Sequence, residues 1–313
     1  MLHLRVICPA EYTDRVLAGV QAHPGAAHVV LVRGGAVDPP GDLVEVDLAR
    51  EAADEVLAAI GASELAEVGA VTITEAGTTL SHRAERAEEA APGDGDDAVV
   101  WDELIARTGE ECRLSGTFLA FLSIACVLAA VGVVTNSPVT IVGAMVVGPE
   151  FGPLAALAVG LVSRRWLLAQ RAAVALGVGF PVAMLVTAAA ALLGEWGGLI
   201  DRLGLPPDSQ VAFVYQVGWS SLIVSLLAGA AGMLSLTSAK SAVLVGVFIS
   251  VTTVPAAGYA MVAATLGDWA QCLSSVAQLL VNLVGIVVAA TGVLVLRRRR
   301  ARAGDRVLTR EEL

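Results

Sequence analysis

From residue 118 to residue 296 the chain carries six apolar runs, at 118–134, 138–162, 172–193, 211–236, 241–266 and 273–296, with hardly a charge inside them. A bilayer core about 30 Å thick takes roughly 20 residues of helix to cross. Inside it every backbone polar group needs a partner within the protein, so runs of this length read as transmembrane helices. Six spans are therefore expected over residues 117–296. Their orientation follows from the basic residues, because short cytoplasmic loops retain Lys and Arg. Arg107 and Arg113 precede the first run, Arg164, Arg165 and Arg171 separate the second from the third, Lys240 lies between the fourth and fifth, and RRRRAR at 297–302 follows the sixth. The alternate loops hold Glu195, Asp201, Arg202, Asp208 and Asp268. This pattern puts both termini in the cytoplasm. The arginine run reads as a stop signal heading a basic tail, 297–313, with anionic lipid as a further contact.

One stretch is out of place in this setting. GAMVVGPEFGP, residues 143–153, puts three glycines, two prolines and a carboxylate inside the second run. Pro149 has no amide hydrogen and blocks the preceding turn, and Gly148 and Gly152 lower the cost of unusual dihedrals, so the run is expected to split into two half-helices. Residue 150 is the midpoint of the second run and residue 253 that of the fifth, where Thr252, Thr253 and Pro255 stand. Two such breaks meet near the bilayer centre, and their freed backbone groups have to be buried in protein or line a wet cavity. A charged side chain at that depth costs roughly 2.5–3.5 kcal/mol or more. Glu150 is therefore read as a functional group that holds a proton or binds a cation, with Gly148, Pro149, Gly152 and Pro153 shaping its site. Two plainer readings stand beside it: a carboxylate capping the second half-helix, and a packing kink with a small-residue contact.

Other polar positions in the runs are fewer. In TNSP, Asn136 or Ser137 as N-cap with Pro138 at the first helical position makes a helix start, and Asn136 is also a pathway candidate. Gln271, Ser275, Gln278 and Asn282 share one helical face of the sixth run, as a polar conduit or as hydrogen bonds between helices. Ser221, Ser225, Ala228 and Gly232 give the fourth run a face for close approach between helices or protomers.

The second and fifth runs also resemble each other. Gly143 and Gly246 are 103 residues apart, Trp166 and Trp269 are 103 apart, and Pro153 and Pro255 are 102 apart. With three spans per copy the second copy enters the membrane from the other side, the 3+3 inverted repeat found among secondary transporters. TNSPVTIVGAMVVGPEFGPLAALAVGL, VGVFISVTTVPAAGYAMVAATLGDW and LLVNLVGIVVAATGVLVL resemble the uncharacterised bacterial hydrophobic membrane proteins grouped as domain of unknown function 389, over roughly residues 110–296. The resemblance implies a bacterial cytoplasmic (inner) membrane, and a soluble module in front is a further similarity; it brings no activity with it. Its usual pattern around the first proline has a small residue and an apolar pair, where this chain has Glu150 and Phe151. A role for Glu150 is thus one the resemblance does not supply.

The front of the chain belongs to another solvent. Residues 1–116 hold 8 Arg against 22 Asp and Glu, while residues 117–313 hold 12 basic and 8 acidic residues. Within 1–82, LHLRVICP alternates apolar and polar residues, and Tyr12, Val16, Leu17 and Val20 share a helical face. AHVVLVRGG and DLVEVDLA are strands between turn formers, Val56, Leu57 and Ile60 mark a second helix, and GAVTITEAG a last strand. The order βαββαβ resembles a ferredoxin-like or ACT-like domain, two helices on one face of a four-stranded antiparallel sheet. Such a domain regulates by binding a small ligand, or serves as a scaffold for a homo-oligomer. Residues 83–97 are acidic without an apolar face and read as a linker. Val100, Trp101, Leu104, Ile105 and Thr108 then line one side of an amphipathic interfacial helix that completes the 83–116 segment.

The remaining signals exclude more than they offer. Cys8, Cys112, Cys126 and Cys272 form no CxxC pair, and His3, His23, His28 and His82 have no metal-ligand spacing, so no disulfide, metal or cofactor is expected and the imidazoles read as lone surface groups. Basic residues form no stripe with aromatics, so nucleic acid is not a partner. MLHLRVICPAEY lacks the basic and apolar regions of a secretory leader. Without a nucleophile elbow, phosphate loop or zinc motif, an enzyme is the least supported class. The expectation is a transporter or channel for a small solute or ion in a lipid bilayer, with a cytoplasmic regulatory or oligomerisation domain. The alternative is a membrane-anchored sensor or scaffold whose spans only assemble the soluble domains.

Overall fold

The computed structural model describes residues 1–77, 79–91, 99–198, 219–238 and 253–311, with 220 and 300–311 as backbone alone. It divides into two compact units, one built on Met1–Leu104 and including the end of the last helix from Arg297 on, and one on the helices between, through Leu296.

In the first unit, β1 (Leu2–Cys8) buries Leu2, Leu4, Val6 and Cys8 and turns the residues between them the other way, the period of two that a strand with one covered face imposes. β2 (Ala26–Val37), β3 (Pro40–Leu48) and β4 (Ala70–Glu75) complete one sheet in the order β2-β3-β1-β4, every neighbour antiparallel. α1 (Thr13–Gln21) and α2 (Ala53–Ile60) pack together, and their Val16, Val20, Val56, Leu57 and Ile60 meet Val44, Val46 and Leu48 in a single core. Each such side chain is worth roughly 1.5–3 kcal/mol on burial. The element order and sheet are compatible with a ferredoxin-like module. Gly61, at φ 72°, ends α2 in the left-handed conformation that glycine tolerates, and a short α3 (Ala62–Val68) follows.

The stretch read as an acidic linker is corrected in its first half. Residues 82–90 form α4 (His82–Ala90), which packs on β2 and β3 and buries Ala84 and Ala87. Alanines three apart make a methyl stripe that fits against a sheet where larger side chains would not, and Ser81 caps the helix by accepting the amides of Arg83 and Ala84. Residues 92–98 lie outside the described residues. α5 (Trp101–Glu111) begins on the module: Val100 joins its core and the Trp101 amide donates to Asp54 Oδ1 at 3.1 Å.

The second unit is helical. α6 (Gly116–Val134) is followed by α7 (Pro138–Val147), α8 (Phe151–Ser163), α9 (Trp166–Trp196), α10 (Trp219–Thr237), α11 (Val254–Thr265) and α12 (Trp269–Glu311). Among the described residues three helices are long and apolar enough to cross a membrane, and a fourth span results if α7 and α8, bent by 53°, are taken together. The expected runs at 211–236 and 241–266 include 211–218 and 241–252, which lie outside the described residues; α10 and α11 are what is described of them. The four arginines 297–300 lie within α12, so the stretch expected as a separate basic tail continues a helix.

α6 packs on α7, α9 and α11, and α9 packs on α8 and α11. The approach of α11 to α6 is close enough that a Cβ at Gly258 would stand 2.8 Å from the Cys126 carbonyl oxygen, contact that only glycine permits. All four cysteines are free and buried.

Candidate site at two helix breaks

Ser137 caps α7 by accepting the Thr140 amide, and Pro138 takes the first turn, where its missing hydrogen costs nothing. The helix then stops at Val147. Gly148 is extended, with φ −65° and ψ 124°, Pro149 follows, and α8 starts at Phe151 with Gly152 and Pro153 in its first turn. Glu150 occupies the N-cap position of α8, yet its side chain makes no capping bond to that helix. Instead the Thr253 hydroxyl donates to Glu150 Oε1 at 2.8 Å. Thr253 is itself the N-cap residue of α11, with Pro255 in the first turn, and its side chain caps nothing either. Glu150 is 1% exposed and Thr253 fully buried.

The cradle is apolar, built from a core that includes Cys126, Ala144, Leu154, Val254 and Ala257, with Val147 and Phe151 against it. Through Thr253 the carboxylate lies within one side chain's reach of the amino end of α11, where the helix dipole favours negative charge. Such a group can exchange a proton or accept a small cation. Gly152 adds a constraint, since a Cβ there would stand 2.7 Å from that of Glu111; the end of α5 is packed on the break.

The structure thus gathers Gly148, Pro149, Glu150, Gly152, Pro153, Thr253 and Pro255 at one place, while Thr252 lies outside the described residues. Gln278 and Asn282 belong to a separate buried cluster. Ser221 Oγ on α10 donates to Asn282 Oδ1 at 2.8 Å and accepts from Gln278 Nε2 at 3.0 Å. These bonds join α10 to α12, as polar groups between membrane helices commonly do. Asn136 sits in the turn between α6 and α7, at φ 48°. Glu111 was missed, because packing between α5 and α8 leaves no mark in the local pattern. An open hollow of about 340 Å³ between α10 and α12 is lined by Leu222, Leu226, Val281, Val284 and other aliphatic residues with Gly285; it shares no residue with the Glu150 site and brings no polar group together. Among the described residues no three His, Cys, Asp or Glu side chains are grouped to hold a metal.

Residues 145–288 match the model of a domain of unknown function, DUF389. No curated protein and no solved structure matches the chain. The DUF389 match takes in both breaks, Glu150 and Thr253, and also the Ser221, Gln278 and Asn282 cluster. With the apolar helices, it marks the protein as membrane-associated.

Proposed function

We propose that the DUF389 region is a transporter or channel for a small solute or ion, and that Glu150 carries the moving charge as a bound proton or cation. The proposal includes six spans in a bacterial cytoplasmic membrane, both termini in the cytoplasm, a homo-oligomer, and an amino-terminal module that regulates or assembles it. The observation that carries it is the bond between Glu150 and Thr253. Their separation of 103 residues is that of Gly143 from Gly246 and of Trp166 from Trp269. An inverted repeat accounts for this, because it brings equivalent helix breaks together at one depth. A membrane anchor has no use for a buried carboxylate at such a junction.

The test is flux in liposomes. The purified protein is screened for passage of protons, alkali cations and small anions, and Glu150→Gln, which keeps shape and hydrogen bonding, is compared with it across pH. Altered flux or altered pH dependence is expected with folding unchanged. Flux identical to the parent at every pH would leave Glu150 a structural group.

A further inference from the structure

β2 does not run straight. Its register against β3 shifts between Ala27 and Val30, and within that interval His28 has φ 49°. A residue other than glycine pays for this left-handed conformation, on the order of 1–3 kcal/mol, and strain of this kind gathers where a side chain has to be aimed. The ring so aimed joins two segments. His28 Nδ1 lies 2.8 Å from Asp47 Oδ2 on β3, and His28 Nε2 lies 2.8 Å from the Oγ of Ser81, the N-cap of α4.

The proton positions follow from valence. Ser81 Oγ accepts the amides of Arg83 at 3.2 Å and Ala84 at 3.4 Å, which takes both its lone pairs and leaves its own hydrogen for Nε2. Nε2 is then the acceptor, and Nδ1 carries the ring hydrogen toward Asp47. The other Asp47 oxygen is held by His3 Nδ1 at 2.9 Å. Burial pushes the Asp47 carboxyl up, but the hydrogen bonds from His3 and His28 more than reverse this, so it stays below its ordinary range. Hydroxyl, imidazole and carboxylate in this order and tautomer make serine a nucleophile on unrelated folds, where the set is recognised by geometry and not by sequence position. Ser81 has a further aid, since the two amides at the positive end of α4 stabilise charge on Oγ as its proton leaves. The His28 side chain is 35% exposed, so the ring is open to solvent.

We propose that Ser81, His28 and Asp47 form a nucleophilic site for activated acyl esters, with Ser81 the group acylated, His28 its base and Asp47 the positioning residue. Oγ attacks the ester carbonyl carbon with the lone pair released from the Ala84 amide, the longer of its two bonds at 3.4 Å, while its proton passes to His28 Nε2. The carbon–oxygen bond to the leaving group then breaks, and the departing alkoxide takes that proton from Nε2. Ser81 is left as an ester, whose oxygen is a weaker acceptor for the Arg83 and Ala84 amides, so acylation loosens the cap of α4.

The experiment uses the full-length protein in detergent with p-nitrophenyl acetate, following nitrophenolate release and mapping the acetyl group by peptide mass. One acetyl on the Ser81 peptide is expected. His28→Gln and Asp47→Asn should slow it about a hundredfold while circular dichroism stays unchanged. The peptide map of the parent protein needs no variant, so a misfolded mutant does not spoil the test. An unmodified Ser81 peptide in the parent protein, or acetylation equally fast in His28→Gln, would each overturn the proposal and reduce the network to a brace for α4.

Discussion

Glu150 and Thr253 meet side chain to side chain at 2.8 Å, and each stands at the N-cap position of the helix that follows its break. Neither uses its side chain on its own helix; each is turned to the other. Thr253→Val removes the donor and leaves a buried carboxylate less well satisfied, which costs roughly 1–3 kcal/mol. Thr253→Ser keeps the hydroxyl and should stay close to the parent. Thermal unfolding in detergent separates the two; equal melting of the valine and serine variants would show that the bond contributes nothing.

Helix approach can be tested with two glycines. Gly258→Ala brings a methyl to 2.8 Å from the Cys126 carbonyl oxygen and should destabilise by about 1–3 kcal/mol. Gly143 in α7 has open space where a Cβ would go, so Gly143→Ala should be neutral or gain up to about 1 kcal/mol of helix propensity. A lowered melting temperature for Gly258→Ala and an unchanged or raised one for Gly143→Ala are the expected reading.

Asp54 gives the module a pH dependence with a definite sign. Burial, with a smaller contribution from neighbouring Asp102, raises its pKa from 3.8 to about 6, against the lowering effect of the Trp101 amide. The folded state therefore binds the proton first, and this contribution to stability is present at low pH and lost as pH rises through about 6. The shift corresponds to about 3 kcal/mol above that pH. Asp54→Asn keeps an acceptor for Trp101 without the charge, so it should melt higher than the parent near neutral pH, and the gap should close toward pH 4. A gap that does not change with pH would assign the effect to something other than titration.

The amino-terminal unit should fold by itself, since its core is closed by its own helices and sheet. A fragment ending at Leu104 is expected to give mixed α/β circular dichroism and a cooperative melt. A disordered spectrum would mean that the core needs the rest of the chain.

The proposed topology has a direct check. Reporter enzymes active only in the cytoplasm, fused ahead of Leu2 or after Gly304, should both be active. Activity at one end alone would require an odd number of crossings.

Much of this architecture was legible because its causes are local. The alternation in β1 states which residues face the helices, and Pro149 between two glycines states where a span breaks. The 103-residue offset of Gly143 and Gly246 pairs Glu150 with Thr253, while the 102-residue offset of Pro153 and Pro255 pairs it with Thr252, so the sequence names the two threonines without choosing between them. α4 escaped notice because its buried face is made of alanine. His28 read as a surface imidazole because nothing in its neighbours announces a left-handed residue inside a strand, and without that turn the ring points elsewhere.

The burial of all four thiols has a practical side. Cys8, whose thiol is made harder to ionise by burial, is the one in the first strand, and Cys112, Cys126 and Cys272 are covered as well. Maleimides and other reagents that capture exposed thiolates should pass over the native chain. A single cysteine put in place of Leu80 or Trp196, both at least 90% exposed, would then be the one label-accepting atom on the molecule. Fluorescent or spin probes can be attached there without first stripping out the natural sulfurs, so distances and sidedness can be measured on the otherwise unaltered protein.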